Sequence, residues 1–358
     1  MRPDRRLCDL FGIEAPIVQA PMAGAMDSAL VISAAEGGAL GSLPCAMLAA
    51  DTVRREVATI RLRARGPLNL NFFCHAPAPA DRAREEAWRA RVRPYYDELG
   101  LDPAAPVTAA SRAPFDAEAC ALVEELRPEV VSFHFGLPDT ALLARVKACG
   151  ARVIASATTV KEAAWLEARG VDAIIAQGAE AGGHRGMFLT DDVGAQPGTF
   201  ALVPQVVDAV TVPVIAAGGI ADGRGIAAAF ALGAAGVQIG TAYLRCVEST
   251  IAAPYRAALA AASDEATVLT NVMTGRPARG IWNRALRELG PVARDAPAYP
   301  LAAAALAPLR AAAERAGSGD FTPLWAGQSA ALARERGAAE LTRSLAIDAR
   351  ERMAKLAG

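Results

Sequence analysis

The stretch ARVIASATTVKEAAWLEARGVDAIIAQG, residues 151–178, reads as strand, helix, strand. ARVIASAT (151–158) and VDAIIAQG (171–178) are short apolar runs containing β-branched residues. Neither shows clear period-2 alternation, as expected of parallel strands covered on both faces. Between them VKEAAWLEARG (160–170) carries a helical pattern and ends in glycine, a common helix stop.

The same unit recurs along the chain. Further runs are PIVQAPM (16–22), ALGSLP (39–44), PLNLNFF (67–73), EVVSFHFG (129–136), VPVIAAGG (212–219) and AGVQIGTA (235–242). With the two above they make eight. GRGIAAAFALGAAG (223–236) is another glycine-ended helix. Eightfold strand–helix alternation predicts an α/β protein built as a (β/α)8 TIM barrel. A doubly wound open sheet is the main alternative, and no second nucleotide fingerprint favours it. The expected barrel covers residues 1–242. A segment at 76–115, with APAPAD and charged helical sequence, is inserted between the third and fourth strands. Residues 243–358 read as an additional, mainly helical C-terminal subdomain closing or flanking the barrel mouth.

Composition narrows the function. Of 358 residues, 53% are hydrophobic and 21% charged, which supports a large core and argues against disorder. The formal net charge is −1 and no basic block is interleaved with aromatics, so nucleic acid is not the expected partner. None of the six cysteines forms a C-x-x-C pair, so no zinc or other metal site is expected and the thiols should be reduced. The opening MRPDRRLCDLFGIE is charged and lacks the apolar core of a signal peptide. No apolar run reaches the length of a membrane span. The expectation is a cytoplasmic protein, monomer or homodimer, with a small-molecule partner.

In a barrel, chemistry sits where strands end. Gln19, Ala20, Pro21 and Met22 close the first run and Gly24 follows it, Asn71 lies at the end of the third and His134 of the fourth. Gln177 and the loop GAEAGGHRG (178–186) follow the sixth. Gly218 and Gly219 end the seventh, Gly240 and Thr241 the eighth. Glycine-ended seventh and eighth strands predict a phosphate site. The loop lacks the Lys-Ser/Thr of a P-loop. It carries His184, one of three histidines, whose ordinary pKa near 6.5 suits proton transfer. A histidine that merely ties the loop together is the competing reading. His75 and His134 are weaker candidates.

QAPMAG, NFF, GAEAGGHRG, VPVIAAGGIADG, VQIGTAYL and, near the C-terminus, DFTPLWAGQ (320–328) occur in this order. Together they closely resemble the nitronate monooxygenases, FMN-dependent barrel enzymes. The resemblance implies that the loop around Ala20, Pro21 and Met22 lines the flavin, that Asn71 bonds the flavin or its ribityl chain, and that Gln177 contacts the ring. It implies that Gly182 and Gly183 bring backbone to the cofactor, and that Gly218, Gly219, Gln238, Ile239, Gly240 and Thr241 cradle the phosphate. His184 would be the active-site histidine, acting as base or as electrostatic anchor. The implied reaction takes a nitronate or nitroalkane and dioxygen to a carbonyl compound and nitrite. His134 and Tyr299 are substrate candidates. The chain departs from many members in having no lysine after Tyr299 in APAYPLAAAALAPLR. Trp325 and Gln328 read as part of a lid or as residues that dock the tail, with docking favoured for Trp325, and Arg185 as a surface or loop-anchoring arginine. Rival readings are an FMN-dependent NAD(P)H reductase of the same superfamily, acting on enoyl-acyl-carrier-protein or quinone, and a non-catalytic flavin binder.

Overall fold

The computed structural model describes residues 4–79, 81–105 and 112–356. Residues 80 and 106–111 of the inserted segment lie outside the described residues. The strands are β1 (Ile17–Gln19), β2 (Gly41–Pro44), β3 (Leu68–Phe73), β4 (Val130–His134), β5 (Arg152–Ala157), β6 (Ala173–Gln177), β7 (Gly183–His184), β8 (Val214–Ala217), β9 (Gly236–Ile239), β10 (Thr267–Thr270) and β11 (Ala278–Ile281). Eight of them form one parallel sheet in the order β1-β9-β8-β6-β5-β4-β3-β2. The ends meet: Gln19 N–H donates to the Leu40 carbonyl at 3.0 Å and Leu40 N–H to that of Ile17 at 2.9 Å. The sheet is thereby closed into the (β/α)8 barrel expected from the eight runs.

Both faces of each strand are apolar because both are covered. Ile17, Ile174, Ala176, Ala216, Val237 and Ile239 pack outward against the helices. Val18, Val130, Ile154, Ile175 and Ile215 fill the interior, and the helix Arg6–Phe11 joins them there through Leu7, Cys8 and Phe11. The helices are held by side-chain caps at Asp139, Thr159 and Asp222, each accepting from the first-turn N–H groups. The helix Val160–Glu167 gives way to β6 through Gly170, whose φ of +76° is in the left-handed region that glycine tolerates best.

Among its described residues the tail carries five helices and two short strands, and two features tie it to the barrel. It contributes β10 and β11, which pair antiparallel, and β11 then pairs with β7. Its last helix, Ala338–Leu356, packs on the helices Gly223–Ala231 and Ser28–Glu36 and shares the barrel's outer core through Leu341, Leu345 and Ala349. The barrel's helical layer therefore extends past the boundary at 242. The inserted helix Arg82–Glu98 packs on the tail helix Ala302–Arg315, with Trp88, Val92, Tyr95, Leu306, Leu309 and Phe321 in a second core. Trp88 Nε1 donates to the Ala302 carbonyl at 3.2 Å and the Tyr96 hydroxyl to that of Ala305 at 2.7 Å. The two segments left outside the minimal barrel thus complete each other. No helix among the described residues is long and apolar enough to cross a membrane.

Candidate active site

The C-terminal ends of the strands open into a cavity of about 400 Å³. Ala20, Pro21, Met22, Asn71, His134, Gln177, Gly182, Gly183, His184, Gly218, Gly219, Gln238, Gly240, Thr241 and Tyr299 all line it. Ile239 does not. Alternation along β9 turns its side chain into the outer core.

The segment holding His184 is not a free loop. Gly183 and His184 form β7, registered against Arg279 and Ala278 of the tail. Behind it Arg185 is fully buried rather than at the surface. Its guanidinium donates to Gln196 Oε1 at 2.7 Å, the Gly178 carbonyl at 2.7 Å and the Gln177 carbonyl at 2.8 Å. Burial, then the nearby Arg279, pull its pKa down to about 10. Gln177 spends both ends of its amide on the same segment, donating to the His184 carbonyl at 3.0 Å and accepting from Gly186 N–H at 2.8 Å. It lines the cavity as a strut as much as a contact. Gly182 also has a packing reason to be glycine. A Cβ there would lie 2.5 Å from the Gly327 nitrogen and 2.6 Å from the Ala326 carbonyl carbon, so the missing side chain admits the tail.

Three histidines gather at the mouth. His134 Nε2 lies 3.3 Å from the His184 carbonyl, which can only accept, so that nitrogen carries the proton and Nδ1 accepts from the Ser156 hydroxyl at 3.0 Å. Burial and then Arg276 push its pKa down to about 3, and the same two causes push His75 to about 4. His184 is driven well below its ordinary value by burial, then by Arg112, His134, Arg276 and His75. Its Nε2 meets the buried Thr274 hydroxyl at 2.9 Å, and its ring lies 5.3 Å from that of Tyr299 and 5.4 Å from that of Trp325. Trp325 therefore lines the site as well as docking the tail, and Tyr255 donates to its carbonyl. His75 stacks edge-on against Tyr299 at 4.8 Å and serves as its backing.

These depressed histidines set the acid stability. Their unfolded pKa lies near 6.5 and their folded values below it, so the unfolded chain binds more protons between roughly pH 3 and 6.5. Stability is full above that window and is lost as pH falls through it. Calorimetry is expected to show Tm dropping by on the order of 5 °C between pH 7 and 5. His134→Gln, which keeps a donor for the His184 carbonyl, should flatten that slope; an unchanged slope would refute the assignment.

The glycine-rich end of the cavity is built from both halves of the chain. Gly218 and Gly219 turn with φ of +111° and +70°. The N–H groups of Gly219 and Thr241 donate to no protein acceptor among the described residues. By contrast, the N-terminus of Gly223–Ala231 is satisfied by Asp222 and by Asp348, which accepts from Gly223 N–H at 3.0 Å. The tail closes over the glycines: Ser329 donates to the Gly219 carbonyl at 2.6 Å, and Gly327 N–H to Thr241 Oγ1 at 3.0 Å.

The family model for nitronate monooxygenase matches residues 4–348. The chain belongs to the nitronate monooxygenase family. It is 43% identical over 355 residues to a nitronate monooxygenase of Paraburkholderia phytofirmans, covering 98% of this chain and 97% of that one. It is 44% identical over 347 residues to one from Pseudomonas aeruginosa, covering 96% and 99%. Among solved structures, a nitroalkane oxidase from Streptomyces ansochromogenes superposes with a TM-score of 0.90 at 38% identity, covering 98% and 99%. FabK from Thermotoga maritima superposes at 0.74 with 29% identity, covering 99% and 98%. Membership makes this protein an oxidoreductase of the nitronate-oxidising kind.

Nitronate monooxygenases are flavoenzymes, and the residues present fit such a group. Gln238 Oε1 is buried in the cavity region without a partner among the described residues. The open backbone donors at Gly219 and Thr241 suit an anionic phosphate. The strand-end glycines leave room for a flat ring beside Met22 and Asn71. Sequence reading missed Thr274, Arg112, Ser329 and Glu162. Glu162 anchors the histidine segment from the helix Val160–Glu167, accepting from Phe188 N–H at 2.6 Å. Its place three residues after Thr159 was the one local hint.

Proposed function

We propose that the protein uses FMN and dioxygen to oxidise an alkyl nitronate, or the nitroalkane from which it forms, to a carbonyl compound and nitrite. The observation that carries the reading is His184, held uncharged in the cavity opposite the glycine-rich strand ends. Gly218, Gly219, Gly240 and Thr241 would hold the phosphate. Asn71, Met22 and the backbone at Gly182 and Gly183 would flank the ring. FMN supplies the electron transfer between substrate and dioxygen. The protein's own part is to bind, orient and move a proton.

A neutral imidazole is a base, not a cationic anchor. The Thr274 hydroxyl also faces the Arg276 carbonyl, at 3.4 Å, and that oxygen only accepts. If Thr274 donates there, it accepts Nε2–H from His184, which leaves Nδ1 with its lone pair free to take the α-proton of a nitroalkane. The rings of Phe135, Tyr299 and Trp325 pack around the imidazole and limit water.

Purified protein should be yellow with a bound-FMN spectrum and should consume oxygen on addition of an alkyl nitronate. A colourless protein that takes up no FMN would sink the reading. Rapid oxidation of NADH or NADPH with no response to nitronate would move it to the flavin-dependent reductases.

A further inference from the structure

Arg112 enters the cavity from the segment preceding the helix Ala117–Leu126, across from His184. Its Nη1 is buried and has no hydrogen-bond partner among the described residues. The same is true of the Tyr299 hydroxyl, and the guanidinium carbon stands 5.8 Å from the Tyr299 ring centre. No carboxylate is paired with Arg112 among the described residues. Glu314, the one carboxylate among the described residues that line the cavity, is committed to Arg310 at 2.8 Å and Thr322 at 2.9 Å. No lysine lines the cavity. A largely desolvated cation without a counter-charge is costly, and a guanidinium that faces the Tyr299 hydroxyl and still has N–H groups to spare makes, with that hydroxyl, a site for an oxyanion.

We propose that Arg112 and Tyr299 form the clamp for the oxygens of the substrate's nitro group, Arg112 supplying the positive charge and Tyr299 a second donor. This rests on the nitronate-oxidising reading and names the residues that select its substrate. A nitronate carries its negative charge on those two oxygens. The same clamp would stabilise the charge that develops there as a neutral nitroalkane loses its α-proton. A planar guanidinium matches two oxygens better than an ammonium does.

The test uses holoenzyme and nitrate, a planar oxyanion that is not turned over. Nitrate should inhibit nitronate oxidation competitively and perturb the flavin spectrum in a titration. Arg112→Met should weaken nitrate binding and raise the nitronate KM by about 10- to 100-fold, Arg112→Lys should fall between, and Tyr299→Phe should cost less than Arg112→Met. Flavin content and far-ultraviolet circular dichroism should not change. If Arg112→Met does not fold, Arg112→Lys and Tyr299→Phe decide the matter by the same titration. Nitrate binding unaltered in folded, flavin-loaded variants overturns the clamp. Should wild type bind nitrate through Arg112 yet fail to oxidise nitronates, the clamp stands and the reaction assignment falls.

Discussion

Replacing His184 by glutamine should lower turnover of a neutral nitroalkane by about 100- to 10,000-fold, the usual worth of a positioned general base. The same variant should oxidise a preformed nitronate within roughly tenfold of wild type, because that substrate has no α-proton left to remove. The split between the two substrates separates the two roles open to an active-site histidine. An imidazolium anchor would be needed equally by both. The site argues for the base: burial, Arg112 and Arg276 all oppose a charge on His184. Flavin content should be unchanged, since the neighbours of His184 are Thr274 and the rings of Phe135, Tyr299 and Trp325 rather than the strand-end glycines. Stopped-flow kinetics on both substrates is the check. Equal losses would restore the anchor, and no loss would remove His184 from the chemistry.

Replacing Arg185 by methionine should destabilise the fold by about 3–5 kcal/mol, a Tm loss of about 5 °C in a chain of this size. The side chain volume is roughly kept, but the Gln177 and Gly178 carbonyls and Gln196 Oε1 lose their donor together. All three lie where water cannot easily replace it, because Arg185 is 0% exposed. The effect should reach function, since Arg185 follows β7 directly and its own N–H donates to the Pro277 carbonyl at 2.9 Å. Loosening it frees the strand that carries His184. Heating with flavin fluorescence as the readout should show release at lower temperature in the variant. Arg185→Lys, with one nitrogen in place of a fork, should recover only part of the loss. A methionine variant as stable as wild type would show that the buried fork is dispensable.

The barrel was legible because its determinants are local. Each βα unit declares itself in about thirty residues, as 151–178 does: an apolar run, a capped helix, a glycine, another run. Strand ends in a barrel share one face, so reading the strands also gathered Asn71, His134, Gln177, Gly218 and Thr241 at one cavity. What failed was anything whose partner is distant in the chain. His184 looked like a loop residue because its strand partner, Ala278, lies far along the tail. Trp325 looked structural because its nearness to His184 depends on how the tail folds back.

The sequence by itself determined the barrel, the cavity's position and most of its lining, because hydrophobic period, helix stops and strand-end chemistry act over a few residues. Only the tertiary structure decided the charge state and the walls of the site. It buried Arg185, seated the tail against Gly182, brought Arg112 beside Tyr299 and kept His184 neutral. Those properties come from desolvation and from contacts between segments far apart in the chain, and neither is a property of any short stretch of residues.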